Sequence, residues 1–290
     1  MRKSFVMPGS LPPRRNAGNS RQGMVSRPGR GYNWGMEFPR ALRSRRTDRR
    51  VSQLELALRA GTTQRHVSFM ESGRSMPGRG MVVRLAESLQ LPLRDRNELL
   101  LAAGFAPVYP QTDLDDPRLA AVRTALDHVL AGHLPYPAIV VDRYGGIVAT
   151  NKAFSVLTEG VAPALLEKPA NAYRIALHPN GMAPRIVNFA EWARHVVERL
   201  DQASVHDPDG RMAELVAELR PYVPSLPITA DHLGFAVPLR LRSGDHELRL
   251  MTTVTTFATA VDVTIAELKL EAFLPADETT ATFLAGVNKP

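Results

Sequence analysis

The sequence contains no cysteine. This absence excludes a disulfide scaffold, a zinc site built on thiolates and a cysteine nucleophile. The chain also lacks any apolar stretch of the roughly 18 to 20 residues that a membrane-spanning helix needs, and it lacks the apolar core of a signal peptide. We therefore expect no membrane contact and a cytoplasmic location. With 290 residues, 44% of them hydrophobic, the chain can form about two folded domains.

Acidic residues are missing from the start of the chain. Residues 1–36 carry seven Lys or Arg and no acid, residues 37–104 carry thirteen against seven, and the remainder carries sixteen against twenty-two. The formal net charge of +7 is thus concentrated in the first third. This distribution indicates a basic domain that binds a polyanion and an acidic domain with another task, the alternative being a random scatter of charge.

Residues 1–36 combine many Pro, Gly and Arg residues with no apolar periodicity. Such a segment buries too little surface to offset the entropy lost on ordering, so we predict a disordered basic arm. The arm could add nonspecific DNA affinity by releasing counterions. Equally, Met36 could be the true start of the protein.

Two short helices are predicted within residues 37–104. Ser52 precedes Glu55 by three residues, which is the spacing of a capping box, and the helix that follows stops at Gly61. A second helix runs from Gln64 to Glu71. Two helices of about two turns, joined by a tight glycine turn, form a helix-turn-helix. The apolar positions of the first helix share helical spacing: Leu54, Ala57 and Leu58.

Three runs of sequence carry a resemblance to a known family. Residues 52–57 (SQLELA), 60–68 (AGTTQRHVS) and 71–74 (ESGR), with Pro77, closely resemble the Cro/repressor-type helix-turn-helix regulators, often called the xenobiotic-response-element (XRE) family. The small residue, the turn glycine and the apolar anchor of the family match Ala57, Gly61 and Val67. The resemblance implies a five-helix DNA-binding domain over residues 37–104.

By that resemblance the Gln64 helix enters the major groove of DNA. Gln64 could pair with adenine and Arg65 with guanine, because their forked side chains match those base edges. Gln53 would donate to a phosphate, and Ser68 lies one turn beyond Gln64 on the same face. The alternative for these positions is a solvated helix face. The predicted DNA contacts are Gln53, Thr63, Gln64, Arg65 and Ser68.

The family also implies two further features of the DNA-binding domain. Arg46 and Glu71 fall where the family has an ion pair that ties the first helix to the end of the third. A single short reading helix gives too little affinity alone, so we expect a homodimer on a near-palindromic operator.

The composition changes after Gly104. Residues 105–117 contain three prolines and an acidic run, which is typical of a linker. Residues 118–286 then alternate helix and strand signals, and the predicted strands are 138–142, 147–150, 235–241, 247–257 and 268–274. Five strands flanked by helices indicate an α+β, PAS-like domain with an antiparallel sheet, so the whole chain is α+β with two domains.

Four short runs in this second part resemble the MmyB-like ligand-binding domain. They are 171–174 (NAYR), 178–181 (HPNG), 185–189 (RIVNF) and 271–278 (EAFLPADE). The resemblance implies a small apolar ligand, such as a fatty acid, held between the sheet and the helices.

The polar cluster between residues 171 and 188 offers donors for a ligand head group, beside an apolar helix that carries Trp192. We expect an apolar pocket with Arg174 near its polar end. The alternative is that Arg174 pairs with an acidic neighbour and that His178 caps a turn. The predicted ligand-binding residues are Asn171, Arg174, His178, Arg185 and Trp192.

No sequence signature of an enzyme is present. The chain has no GxSxG, HExxH, GxGxxG or P-loop sequence, and its eight histidines show no metal-ligand spacing. We expect neither enzyme activity nor a metal or cofactor, a composite catalytic pocket being the remaining enzyme alternative. The resulting hypothesis is a DNA-binding transcription regulator that senses a small apolar molecule. The alternatives are an interaction protein whose PAS-like domain serves dimerisation only, and a repressor that needs no ligand.

Overall fold

The computed structural model describes residues 34–205, 207, 209–224 and 237–287. Most of the predicted basic arm, residues 1–33, and the first two residues of the third predicted strand, 235–236, lie outside the described residues. What is described forms two domains, each with a hydrophobic core of its own.

The first domain is a bundle of five helices, as the sequence predicts. They are α1 (Trp34–Asp48), α2 (Gln53–Arg59), α3 (Gln64–Glu71), α4 (Arg79–Ser88) and α5 (Leu93–Ala102). The Ser52 hydroxyl accepts a hydrogen bond from the Glu55 backbone N–H at 3.1 Å, which caps α2. Gly61 has a φ of 63°, so the turn between α2 and α3 uses the left-handed conformation that glycine adopts without strain.

The face by which α2 packs differs from the prediction. Leu56 and Ala57 are buried, whereas Leu54 and Leu58 are 53% and 74% exposed. The helix is short and has leucines on two sides, so its periodicity fits either face. Contacts with α3 and α4, which spacing within α2 does not reveal, decide which side is buried.

The second domain is an antiparallel sheet with helices on both faces. Its strands are β1 (Ala138–Val141), β2 (Ile147–Thr150), β3 (Leu239–Ser243), β4 (His246–Thr256) and β5 (Lys269–Pro275). Its helices are α6 (Ala120–Gly132), α7 (Ser155–Thr158), α8 (Pro163–Leu166), α9 (Ala172–Leu177), α10 (Phe189–Ser204), α11 (Arg211–Leu219), α12 (Val263–Glu267) and α13 (Glu278–Val287). The strand order is β2-β1-β5-β4-β3, which confirms the predicted five-stranded sheet.

The register of the sheet sends alternate side chains to two different cores. Opposite pairs include Ala138 with Ala272, across β1 and β5, and Leu241 with Leu248, across β3 and β4. One face of the sheet packs against α9, α10 and α11. The other face packs against α6 and α12. Successive residues of β5 therefore face opposite layers of the domain.

The start of α10 has the residue spacing of a capping box but not its hydrogen bond. Glu191 follows Asn188 by three residues, but the Asn188 side chain makes no capping hydrogen bond. It donates instead to the Pro238 carbonyl at 2.9 Å and accepts from the Arg240 backbone N–H at 3.1 Å. One amide thus satisfies both a donor and an acceptor of the chain at β3, and it fixes α10 beside the sheet.

Candidate functional site

A buried ion pair holds α3 in place. Arg46 donates to both oxygens of Glu71, at 2.6 and 2.9 Å, and the Gln53 amide donates to Glu71 at 2.8 Å. The Arg46 and Glu71 side chains are only 11% and 4% exposed, and the hydrogen bond that Arg46 donates to Glu71 raises the pKa of Arg46. The predicted ion pair is confirmed, and it joins α1, α2 and the end of α3.

The predicted DNA contacts lie around the N-terminal end of α3. Thr63 caps the helix, its hydroxyl accepting from the His66 backbone N–H at 3.1 Å. Thr63, Gln64 and Arg65 are exposed and Ser68 is partly exposed, whereas Val67 is buried beneath them. The helix therefore offers one continuous polar face to solvent. Gln53 lies at the start of α2 and is joined to the end of α3 through Glu71.

An aromatic platform on α3 adds to this face. The Arg65 guanidinium lies over the Phe69 ring at 5.1 Å from its centroid, and the Arg74 guanidinium lies 5.8 Å from the same centroid. Stacking on an aromatic face pre-orients a guanidinium. The sequence analysis did not single out Phe69 or Arg74, although the spacing of four residues between Arg65 and Phe69 on a helix is the signal that points to the first contact.

An apolar cavity lies in the second domain, between the sheet and α9 and α10. Its volume is about 210 Å³. Apolar side chains from several elements form most of its wall, including Ile139 of β1, Leu157 of α7, Ile175 of α9, Trp192 of α10, Leu239 of β3 and Phe273 of β5. Such a lining favours an apolar ligand body.

The polar groups of the cavity come from α9, α10, β4 and β5. His195 and Arg199 of α10 are exposed, whereas Glu271 of β5 is 6% exposed. Burial raises the pKa of Glu271 and raises the pKa of Tyr173 to about 12. The Tyr173 hydroxyl thus stays protonated at neutral pH. Thr252 of β4 also lines the cavity.

The ligand-binding residues predicted from the sequence are mostly elsewhere. Trp192 lines the cavity, but Arg174 lies at the surface, where it makes two hydrogen bonds of 2.7 Å with Glu218. That bond lowers the pKa of Glu218. The His178 ring accepts from the Asn180 backbone N–H at 2.9 Å. The expected placement of Arg174 at the polar end of the cavity is therefore wrong, and the alternative of an acidic partner and a turn cap is what the structure shows.

Asn171 and Arg185 support the backbone. The Asn171 side chain accepts from two N–H groups at the start of α9 and donates to the Tyr144 carbonyl at 2.8 Å. Arg185 donates to the carbonyls of Leu157 and Glu159, at 3.1 and 2.8 Å. Polar clusters on a loop satisfy backbone groups as readily as they bind ligands, which is why residue type alone misplaced them.

Charged side chains connect the two domains. Arg94 of α5 donates to both oxygens of Glu267 of α12, at 2.7 and 2.8 Å. Arg143, in the hairpin between β1 and β2, reaches Glu267 at 3.3 Å and Asp207 at 2.9 Å. We call these four residues the junction cluster. Glu267 thus contacts the helix bundle and the hairpin of the second domain at once.

The predicted linker is bonded to both domains. Asn97 of α5 donates to the Tyr109 carbonyl at 2.7 Å. Further along, the Thr112 hydroxyl donates to Asp262 at 2.6 Å, and the Val263 N–H donates to the Pro110 carbonyl at 2.8 Å. These contacts keep α12 close to α5, because they close a short loop beside the junction cluster.

The hairpin between β1 and β2 also contacts the wall of the cavity. The Ala172 N–H donates to the Gly145 carbonyl at 2.8 Å, and Ala172 and Tyr173 both line the cavity. A Cβ atom at Gly145 would lie 2.4 Å from two ring carbons of Tyr173. The hairpin is therefore packed against α9 on one side and bonded to the junction cluster on the other.

The described ranges hold no group of three or more His, Cys, Asp or Glu side chains placed to bind a metal ion. None of the described helices has both the length and the apolar character needed to cross a membrane.

Comparison with known families supports both halves of this description. Residues 42–95 match a helix-turn-helix family, and residues 122–286, more than half of the chain, match the MmyB-like transcription regulator ligand binding domain. No curated protein matches the chain. These two families are typically non-enzymatic. The chain therefore belongs to the MmyB-like family of transcription regulators, and it joins an XRE-type helix-turn-helix for DNA binding to a ligand-binding domain.

Proposed function

We propose that this protein is a cytoplasmic homodimer that reads an operator with α3, and that a small apolar molecule in the cavity changes its affinity for that operator. The observation that carries the proposal is the bonded path between the cavity and the helix bundle. Ala172, in the cavity wall, bonds Gly145 of the hairpin, and Arg143 of the same hairpin contacts Glu267, which binds Arg94 of α5.

The ligand class follows from the lining of the cavity. Apolar side chains surround most of its 210 Å³, so burial of a hydrocarbon body supplies the affinity, at roughly 25 cal/mol per Å² of apolar surface removed from water. Fatty acids are members of this class. A ligand changes DNA binding only through its different affinities for the DNA-competent and DNA-incompetent states.

The DNA contacts proposed are Thr63, Gln64, Arg65 and Ser68 on α3, with Gln53 on a phosphate. Arg65 is exposed and its guanidinium lies over Phe69, so the fork is held on the exposed side of α3, where it would meet a guanine edge in the major groove. One amide hydrogen of Gln53 is bonded to Glu71, and its second amide hydrogen remains for a phosphate oxygen. Gln53 is therefore a positioning contact, whereas Arg65 reads sequence.

Operators selected from a random DNA library should be near-palindromic, with half-sites about one helical turn apart.

Variants of Arg65 and Gln53 test the DNA-binding roles proposed for these two residues. Arg65→Ala should lose roughly 1 to 3 kcal/mol at one base position, whereas Gln53→Ala should weaken binding to all sequences nearly alike. Equal loss of specificity from both variants, measured over a panel of single-base operator changes, would contradict these roles.

The competing function is dimerisation through a second domain that binds no ligand. Native mass spectrometry of the purified full chain, followed by lipid extraction, separates the two functions. A bound apolar molecule, or an increase in the melting temperature on adding one, supports the sensor. A dimer whose melting temperature and operator affinity respond to no apolar molecule supports dimerisation alone.

A further inference from the structure

The carboxylate of Glu271 lies at an unusual place for a charge, on the inner wall of the cavity. Its neighbours along β5, Leu270 and Ala272, face the opposite core, and Glu271 and Phe273 face the cavity. Glu271 is 6% exposed. A carboxylate is seldom buried to this degree without a hydrogen-bonding partner, because removing it from water is costly.

The partner that the structure gives Glu271 is too distant for a hydrogen bond. Arg199 approaches it at 3.8 Å, and the Arg199 side chain is 42% exposed. This cation therefore lies toward solvent while the carboxylate lies inside. Burial raises the pKa of Glu271 even with Arg199 and Lys269 nearby. Within the part of the chain that the structure describes, the approach of Arg199 at 3.8 Å is the ion pair of Glu271. The cavity thus places an acceptor beside a cationic donor, and both line it.

These two groups restrict the head group of any apolar ligand. A head group such as a hydroxyl or a primary amide can donate a hydrogen to Glu271 and accept one from Arg199. An ionised carboxylate can only accept. At a pH high enough to ionise Glu271, it would also bring a second negative charge toward Glu271 where the surroundings screen charge poorly. The Arg199 charge, partly exposed to water, compensates this repulsion only in part.

We propose that Glu271 is a specificity-determining residue, and that the cavity selects apolar molecules with a neutral, hydrogen-donating head group, such as long-chain alcohols or primary amides, over the matching carboxylate anions. This inference rests on the proposed sensor function, since it narrows the ligand class of the same cavity. It excludes ionised fatty acids as the preferred ligand, while their hydrocarbon chains remain compatible with the lining.

The test compares three ligands of equal chain length on the full-length protein at pH 8. Decan-1-ol, decanamide and decanoate are titrated against a bound fluorescent apolar reporter, with wild type, Glu271→Gln and the control Glu198→Gln. Glu198 is exposed on α10, so its variant makes the same charge change away from the cavity. Glutamine keeps the shape of Glu271, and a melting curve for each variant verifies folding.

In wild type we expect the alcohol and the amide to bind at least tenfold more tightly than decanoate. Any apolar cavity prefers an uncharged head group to some degree. The diagnostic result is therefore how the ratio of the alcohol or amide affinity to the decanoate affinity changes between variants. In Glu271→Gln, decanoate affinity should rise and the ratio should fall to about threefold or less, whereas Glu198→Gln should retain the wild-type ratio.

Different results would contradict the proposed role of Glu271 and the proposed ligand-binding function. Decanoate binding as tightly as decan-1-ol in wild type, or a ratio unchanged in Glu271→Gln, overturns the role of Glu271 while leaving the sensor function standing. Failure of all three molecules to displace the reporter from wild type overturns the ligand-binding function, and the head-group inference with it.

Discussion

The hydrogen bonds around Glu71 make one carboxylate responsible for the position of α3. Glu71 accepts from Arg46 and Gln53, so its removal leaves a largely buried guanidinium without its counter-charge. Breaking a buried pair from one side typically costs 3 to 5 kcal/mol, far more than the roughly 0 to 1 kcal/mol of a surface pair.

We therefore expect Glu71→Ala to destabilise the helix bundle by about 3 kcal/mol. Hydrogen exchange of the α1 to α3 amides measures this locally, without assuming that the two domains unfold together. Glu55→Ala is the matched control, because Glu55 pairs with Arg59 at an exposed site on α2. Similar losses of protection in the two variants would show that the buried pair is not what holds the bundle.

Residue-level predictions from sequence succeeded where the deciding neighbour is close along the chain or part of a compact motif. The Ser52 cap and the Arg46–Glu71 pair are such cases. Arg174 is the opposite case: its partner Glu218 is 44 residues away, and nothing in the local pattern distinguishes a ligand anchor from a surface ion pair. Glu271 was within a run that suggested the family, but only the fold shows that it faces a cavity.

At the scale of elements, the β1–β2 hairpin depends on one glycine for its contact with α9. Gly145 has a φ of 81°, and a Cβ atom there would also clash with the Tyr173 ring. Gly244, in the turn between β3 and β4, has a φ of 54° but open space around its Cα. The two glycines share the left-handed conformation and differ in packing.

Gly145→Ala and Gly244→Ala should therefore have unequal effects. The left-handed conformation alone costs an alanine roughly 1 to 2 kcal/mol, which is the loss we expect at Gly244. At Gly145 the clash adds to that cost and displaces Tyr173, so we expect a larger fall in melting temperature and weaker binding of apolar molecules. Equal changes for the two variants would show that the hairpin does not support the cavity wall.

At the scale of elements, we propose that the junction cluster couples ligand binding in the cavity to operator affinity. Glu267→Gln removes the charge that Arg94 and Arg143 share, without changing the cavity. We expect this variant to bind apolar ligands normally but to lose most of the ligand-dependent change in operator affinity. Glu218→Gln is the control, because it breaks a bidentate pair with Arg174 at the surface, away from the junction cluster. If Glu267→Gln kept the full ligand-dependent change in operator affinity, the proposed path through the junction cluster would be wrong.

The elements themselves were mostly foreseeable and their contacts were not. Alternating strand patterns, glycine turns and the long apolar stripe of α10 are local signals, and each of those elements is present. The bond between Arg94 and Glu267 joins residues 173 positions apart. Local spacing carries no information about such a pair, so the sequence predicted two domains and a linker but not how the linker is held.

At the scale of the whole molecule, we propose that the second domain is a sensor whose occupancy changes the DNA affinity of the first domain. Coupling free energies between two sites are typically 1 to 3 kcal/mol, which corresponds to about a 5- to 150-fold change in affinity. Reciprocity requires that operator DNA change the ligand affinity by the same factor. We propose that the bonded path from the cavity wall through the junction cluster to α5 carries this coupling.

The most direct test is the operator affinity of the full-length protein measured with and without ligand. The protein is stripped of co-purifying lipid, and its dissociation constant for a selected operator is compared before and after saturation with whichever ten-carbon molecule binds best. We expect the dissociation constant to change by at least about fivefold, in either direction. An operator affinity that stays the same while the cavity is demonstrably occupied would contradict it.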